Sequence, residues 1–124
     1  SRGLGDVYKR QVLYKLEREH LLNDADFARQ WVEARSGRKL GRSRIAQELR
    51  RKGIDADEAE EALSAIGEDA QLADAIALAE KAAVRAKSDE DPRKTYQRIA
   101  AMLARRGFRW DITKEALAQV LQAD

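Results

Sequence analysis

The chain has 124 residues, about the size of one ordinary domain, and its 24 basic and 22 acidic side chains nearly cancel. It contains no cysteine and one histidine, which excludes disulfides and cysteine-based zinc sites and leaves little room for histidine-dependent metal or triad chemistry. No apolar run reaches the roughly 18–20 residues that span a bilayer, so we expect a cytoplasmic protein that is not an enzyme and carries no cofactor.

Composition predicts helix almost throughout, because Ala, Leu, Arg, Glu, Lys and Gln dominate and β-branched and aromatic residues are sparse. Residues 1–11 contain two glycines and no apolar helical stripe, so they are predicted to be a non-native or disordered tail. Residues 12–22 carry a short apolar stripe and form the first predicted helix.

Residues 23–66 are predicted to form one unit of three helices. Asn23 has the character of an N-cap, and we expect Leu22 to pack on Phe27 as a hydrophobic staple. The second helix of the unit ends at Gly53, a residue type that favours the left-handed position after a helix. The third helix starts at Asp55, where Glu58 completes an Asp-x-x-Glu cap.

The unit then repeats. Residues 44–63 (RIAQELRRKGIDADEAEEAL) and 98–117 (RIAAMLARRGFRWDITKEAL) are identical at ten of twenty positions without a gap. Residues 67–124 are therefore a second three-helix repeat, whose extra residues we assign to a longer first helix. Since residues 12–22 precede a repeat, they are predicted to be the last helix of a truncated earlier one. The expected fold is all-α, an elongated tandem array of three-helix repeats.

Basic and acidic residues occur in blocks along the chain. Eight basic residues and one acid lie between positions 35 and 53, and eight acids with no base follow between 54 and 75. Helix dipoles explain part of this pattern, but not the charge of the loop at 38–42. A basic stripe recurring in successive repeats favours a polyanionic or filamentous partner. The candidate partner-binding residues are Arg38, Lys39, Arg42, Arg44, Arg50, Arg51, Lys52, Arg105 and Arg106.

Other functions find less support. Phe27 and Trp31 lie on an apolar face and are predicted to be core residues rather than platforms for stacked bases. Residues 42–52 could be a recognition helix, but their base-reading pattern is weak. The acidic stretch at 23–26 has too few ligands for a calcium loop. The open alternative is a helical module that binds single- or double-stranded nucleic acid.

Three separated segments, in order, resemble the RecX family of regulatory proteins: residues 22–28 (LNDADFA), 41–54 (GRSRIAQELRRKGI) and 103–108 (LARRGF). The resemblance covers residues 12–124. It implies a bent, elongated array of three-helix repeats, with residues 41–54 in the family's central repeat and residues 105–108 in its last. The sequence departs from the family by the missing first repeat and by Arg109, which stands where a small capping residue is more usual.

The resemblance also implies a function. Members of the family bind the RecA recombinase filament in its helical groove and inhibit its ATPase, strand-exchange and co-protease activities, which links them to DNA repair, homologous recombination and the SOS response. On this basis we expect a monomer whose partner is the RecA filament, with DNA phosphates as a further possible contact. The alternative is a nucleic-acid-binding module that competes for single-stranded DNA without contacting the recombinase.

Overall fold

The computed structural model describes residues 2–19 and 23–122. Within these residues all regular structure is helical, and no helix is both long enough and apolar enough to cross a membrane. The seven helices are α1 (Arg2–Glu19), α2 (Asp24–Ser36), α3 (Arg42–Arg51), α4 (Ala56–Leu63), α5 (Glu68–Val84), α6 (Pro92–Arg105) and α7 (Trp110–Leu121).

Helix α1 corrects one prediction. Residues 2–11, for which we predicted no helix, are continuous with the helix at 12–19. Two glycines disfavour a helix locally, but α1 packs on α2, and Val12 and Leu13 lie against the core of the first repeat. Tertiary packing of this kind commonly outweighs local helix propensity.

The first repeat consists of α2, α3 and α4, and its helix ends follow from local sequence. The Asn23 side chain accepts a hydrogen bond from the Asp26 backbone N–H at 3.1 Å, which confirms the predicted N-cap. Gly53 ends α3 with a φ of +81°, as predicted. Asp55 caps α4, and its carboxylate accepts a hydrogen bond from the Asp57 backbone N–H at 3.2 Å. The predicted Asp-x-x-Glu cap would instead pair Asp55 with Glu58. The predicted staple involves Leu22, which lies outside the described residues.

The second repeat consists of α5, α6 and α7, and each repeat has its own core. Residues at equivalent positions in the aligned segments are buried in both cores, which confirms the duplication, and Phe27 and Trp31 are core residues, as predicted. The equivalent buried pairs are Ile45 and Ile99, Leu49 and Leu103, Ala62 and Ala116, and Leu63 and Leu117.

The extra residues of the second repeat are distributed over two helices and the loop between them. Helix α5 has 17 residues against 13 in α2, and α6 has 14 against 10 in α3. The predicted longer first helix is therefore confirmed, but the second helix is longer as well. Helix α6 starts early because Asp91 caps it, accepting from the Arg93 N–H at 2.9 Å, and Pro92 occupies the first turn.

Arg109, the departure noted in the sequence, stands before α7 where Asp55 stands before α4. Its side chain does not cap the helix. It pairs instead with Asp111, 2.9 Å from guanidinium nitrogen to carboxylate oxygen, and this hydrogen bond holds the pKa of Asp111 below its usual value of 3.8. Helix α7 thus starts with an exposed ion pair in place of a side-chain cap.

Candidate functional site

The two repeats meet where the start of α3 lies against the end of α6. The Gly41 N–H donates to the Arg106 carbonyl at 2.7 Å, and the Ser43 N–H donates to the Gly107 carbonyl at 3.1 Å. The first N–H groups of a helix have no partner within that helix. Here the second repeat supplies those partners, so one contact satisfies the start of α3 and the end of α6 together. We call this contact the joint.

Two glycines allow the joint to close. A Cβ on Gly41 would lie 2.3 Å from the carbonyl carbon of Gly107, and a Cβ on Gly107 would lie 2.3 Å from the Cβ of Arg44. Gly107 also has a φ of +97°, in the left-handed region that other residues rarely adopt. Gly53, its equivalent in the first repeat, has a similar φ, but a Cβ there would have open space around it, with no contact within 4 Å among the described residues.

Arg42 is a structural part of the joint. Its backbone N–H donates to the buried Gln71 Oε1 at 3.4 Å, and its guanidinium donates to the Ile66 carbonyl at the end of the first repeat. The side chain is only partly exposed, and its Nε is buried. A residue that we selected as a partner-binding cation thus links α3 to the chain segment between the repeats.

Two further arginines cross between the repeats. Arg44 donates to the Arg105 carbonyl at 3.1 Å, and Arg106 donates to the carbonyls of Lys39 and Arg38 at 3.2 and 2.6 Å. Both guanidinium groups therefore bind backbone carbonyls that a helix end or a loop leaves without partners. The orientation of the second repeat relative to the first is fixed by these bonds and by the backbone bonds of the joint.

An open cleft of about 720 Å³ lies beside the joint, between the repeats. Its apolar lining comes from Leu40, Leu78, Ala82 and Met102. No carboxylate lines it among the residues that the structure describes, whereas eight cations do. The first repeat contributes Arg35, Arg38 and Arg44, and the second contributes Lys81, Arg85, Arg98, Arg105 and Arg106. We call this the basic cleft.

Glu48 orients two of the arginines that the first repeat contributes to the basic cleft. Its carboxylate accepts two hydrogen bonds from Arg35, at 2.8 and 2.9 Å, and one from the indole N–H of Trp31 at 3.1 Å. Arg44 approaches the same carboxylate at 3.8 Å. The Arg35 and Glu48 side chains are only 16% and 13% exposed, so this pair is well shielded from solvent. One carboxylate therefore orients two cations of the cleft.

Glu90 orients an arginine that the second repeat contributes to the basic cleft. Its carboxylate accepts a hydrogen bond from the Thr95 hydroxyl and pairs with Arg98 at 3.1 Å. These two hydrogen bonds, that from Thr95 first, hold the pKa of Glu90 below its usual 4.5. The carboxylate is therefore ionised at neutral pH and orients the Arg98 guanidinium.

Four cleft cations have no side-chain partner among the described residues: Arg38, Lys81, Arg85 and Arg105. All four are exposed, and they come from the loop after α2, from the end of α5 and from the end of α6. Glu48 pairs with Arg35 and Arg44, Glu90 pairs with Arg98, and Arg106 binds backbone carbonyls, so the cleft keeps a large positive charge. It can bind an anion that carries several charges.

The predicted site residues fall into three groups. Arg38, Arg44, Arg105 and Arg106 line the basic cleft, and Lys39 is exposed beside it. Arg42 lies in the joint. The end of α3 holds Arg50 and Arg51, which are exposed, and Lys52, whose ammonium lies 4.9 Å from the Trp31 ring centroid.

The sequence analysis missed four cleft residues: Arg35, Lys81, Arg85 and Arg98. The spacing of Lys81 and Arg85 places them on one face of a helix, as does the spacing of Arg98 and Arg105. That spacing was available in the sequence. The sequence does not show that these two helix faces oppose each other across the cleft. Among the described residues no group of His, Cys, Asp or Glu could hold a metal ion.

The fold and the cleft define an all-α protein of tandem three-helix domains joined at a fixed angle. Two family models match it in order: the second three-helix domain of RecX over residues 23–63 and the third over residues 69–117. The chain belongs to the RecX family.

Individual relatives agree. The chain is 39% identical to regulatory protein RecX of Mycobacteroides abscessus, covering 94% of this chain and 60% of that protein. It is 35% identical to that of Mycobacterium ulcerans, covering 100% and 72%. The crystal structure of RecX from Lactobacillus salivarius superposes with a TM-score of 0.74 at 30% identity, covering 89% of this chain and 71% of that one. The chain thus spans about two thirds of the length of these relatives.

Proposed function

We propose that this chain binds the RecA recombinase filament in the cytoplasm and inhibits its ATPase, strand-exchange and co-protease activities, and so modulates DNA repair and recombination. It acts as a monomer, by binding and not by chemistry. The observation that carries the proposal is the match of two successive RecX domains, in order, over most of the chain.

The structure supports a filament as the partner. A filament presents the same surface at regular intervals, and the chain presents exposed cations on both of its repeats. Because the joint fixes the angle between the repeats, cations on each repeat can contact neighbouring subunits at the same time. Contacts made together in this way multiply in affinity. In this proposal the cations meet acidic surfaces of RecA subunits or the phosphates of the bound DNA.

RecA ATPase activity on single-stranded DNA tests the proposal. We expect the wild-type chain to inhibit ATP hydrolysis well below one chain per RecA subunit, because a filament bound at few positions stops growing. The variant Arg38→Glu/Lys39→Glu should inhibit less, with an unchanged helical circular dichroism spectrum, since both side chains are exposed. Arg42 is left intact because it belongs to the joint.

The matched control is Lys94→Glu/Lys114→Glu, which makes the same change in net charge at exposed positions outside the candidate site. It should inhibit as the wild type does. A wild-type chain that leaves RecA turnover unchanged at every ratio would reject the proposed function. Equal inhibition by wild type and by the loop variant would instead remove Arg38 and Lys39 from the binding surface.

A further inference from the structure

An acidic segment of the chain is as one-sided in charge as the basic cleft. Eight carboxylates and no base lie between positions 54 and 75, at the cap of α4, within α4 and in the first two turns of α5. Six of the eight are exposed, and the ion pairs formed among the described residues involve other carboxylates. We call this the acidic segment, and it consists of Asp55, Asp57, Glu58, Glu60, Glu61, Glu68, Asp69 and Asp74.

Helix dipoles explain only some of these acids. Asp57 and Glu68 lie in first turns, where the dipole favours an anion. Glu60 and Glu61 lie in the last turn of α4, where the dipole favours cations, and no basic residue accompanies them there. Asp57, Glu60 and Glu61 are spaced i, i+3 and i+4, so they share one exposed face of α4. The negative charge of this face is therefore not a requirement of the helix itself.

The acidic segment and the basic cleft cannot neutralise each other within one molecule. Helix α5 carries Glu68 and Asp69 at its start, whereas Lys81 near its end and Arg85 at its C-cap line the basic cleft. At 1.5 Å per residue, Glu68 and Arg85 are about 25 Å apart along one continuous helix. The joint fixes the other cations of the cleft relative to that helix. The complementary charge for each surface has to come from another molecule.

We propose that the acidic segment of one copy of this chain docks into the basic cleft of a second copy, so that the chain associates head to tail at low ionic strength. The match of charge supports a second copy as the partner. The cleft has eight cations and no carboxylate among the lining residues that the structure describes, and the acidic segment has eight carboxylates and no base. In the docked pair, the exposed face of α4 lies against Arg38, Lys81, Arg85 and Arg105, the cleft cations without a side-chain partner.

This contact joins two different surfaces, so every copy in the associated form has one surface of each kind to offer. A contact of this type continues from copy to copy unless it closes into a ring. The inference goes beyond the proposed function, because it concerns the chain in the absence of RecA. Association is reversible and occupies the basic cleft, and the monomer that it releases is the form that binds the filament.

Sedimentation velocity of the nuclease-treated chain, measured over a salt series, tests the inference. Charges attract over about 30 Å at about 10 mM salt but over only about 3 Å at about 1 M. At the low salt concentration, the weight-average mass should exceed the 14.0 kDa of one chain and rise past twice that value as the protein concentration increases. At the high salt concentration it should return to 14.0 kDa.

Two variants, each lacking one surface, identify the contact. Lys81→Ala/Arg85→Ala weakens the cleft and Glu60→Ala/Glu61→Ala weakens the acidic segment, all at exposed positions where alanine favours the helix. Each variant alone should stay monomeric at low salt. Mixed in equal amounts, they should form a dimer that grows no further, because the intact segment of one fits the intact cleft of the other and no second pair of intact surfaces remains.

The matched controls are Lys94→Ala/Lys114→Ala and Glu80→Ala/Glu115→Ala, which make the same changes in net charge at exposed positions outside both surfaces. Both should associate as the wild type does. A wild-type chain that is monomeric at every salt concentration, or a mixture of the two surface variants that stays monomeric, would overturn the inference. So would a wild-type mass that stops at two chains, which indicates a two-fold contact, or nucleic acid recovered in the associated species. None of these readouts involves RecA, so the inference and the proposed function can fail separately.

Discussion

Replacing Gly107 with alanine tests whether the joint determines how the repeats are arranged. The natural comparison is Gly53→Ala, because the two glycines are equivalent in the duplicated segments and have φ angles of +97° and +81°. An alanine in this left-handed region costs about 1–2 kcal/mol at either position. The difference between the two variants therefore isolates the joint from the backbone strain that both share.

At Gly107 the new Cβ has a second cost. It would lie 2.3 Å from the Arg44 Cβ and 2.4 Å from the Arg44 backbone nitrogen, so α3 must move away. That movement breaks the two backbone hydrogen bonds from Gly41 and Ser43 to the end of α6. At about 1–2 kcal/mol for each donor left without its partner, we expect Gly107→Ala to lose about 3–6 kcal/mol in all. Gly53→Ala should lose only the backbone cost.

Two measurements check this expectation. Urea unfolding gives the free-energy difference between the two variants, and amide hydrogen exchange at Ser43 reports on the joint directly. Exchange at Ser43 should accelerate in Gly107→Ala and stay near the wild-type rate in Gly53→Ala. If both variants lose the same stability and protect Ser43 equally, the joint does not hold the repeats together and the cleft has no fixed geometry.

Two further predictions concern the carboxylates that orient the cleft arginines. Glu48→Ala leaves the shielded Arg35 guanidinium and the Trp31 indole N–H without their acceptor. We therefore expect the free energy of unfolding, measured in urea, to fall by about 3 kcal/mol. A fall below about 1 kcal/mol would place this pair among ordinary surface ion pairs. Because the folded-state pKa of Glu90 is lowered, its ionised form stabilises the fold above the unfolded pKa, and this contribution is lost as pH falls through the lowered folded value. The free energy of unfolding should therefore fall more steeply on acidification in the wild type than in Glu90→Gln, and the difference between the two should be constant above about pH 5. Parallel curves over the whole pH range would show that the ionised Glu90 carboxylate does not stabilise the fold.

Much of the fold could be predicted from local sequence. The N-cap at Asn23, the helix ends at Gly53 and Gly107 and the buried positions of both repeats depend on interactions within a few residues or on a 3.6-residue period. The duplication then reinforced each assignment, since Ile45 and Ile99 are buried alike. The same local reasoning failed at residues 2–11, which are helical despite their two glycines and are continuous with the part of α1 whose Val12 and Leu13 pack on the first core.

The candidate site was predicted in part, and for a physical reason. Positive charge in the sequence identified Arg38 and Arg105, but it could not separate them from Arg42, whose guanidinium binds a backbone carbonyl of the chain itself. It also missed Lys81 and Arg85, because a pair of cations at the end of a helix looks like dipole compensation when the facing wall is unknown.

The sequence by itself determined the helices of the two repeats, most of their ends and the helix faces that are buried, because each depends on residues close together along the chain. Only the tertiary structure decided which cations face one another. The bonds that set the angle between the repeats join residues more than sixty positions apart, such as Arg44 to Arg105 and Arg106 to Lys39. Helical periodicity gives the face of each helix on which a cation lies, but it contains no information on how one repeat is rotated against the next. A cleft formed between two repeats depends on that rotation.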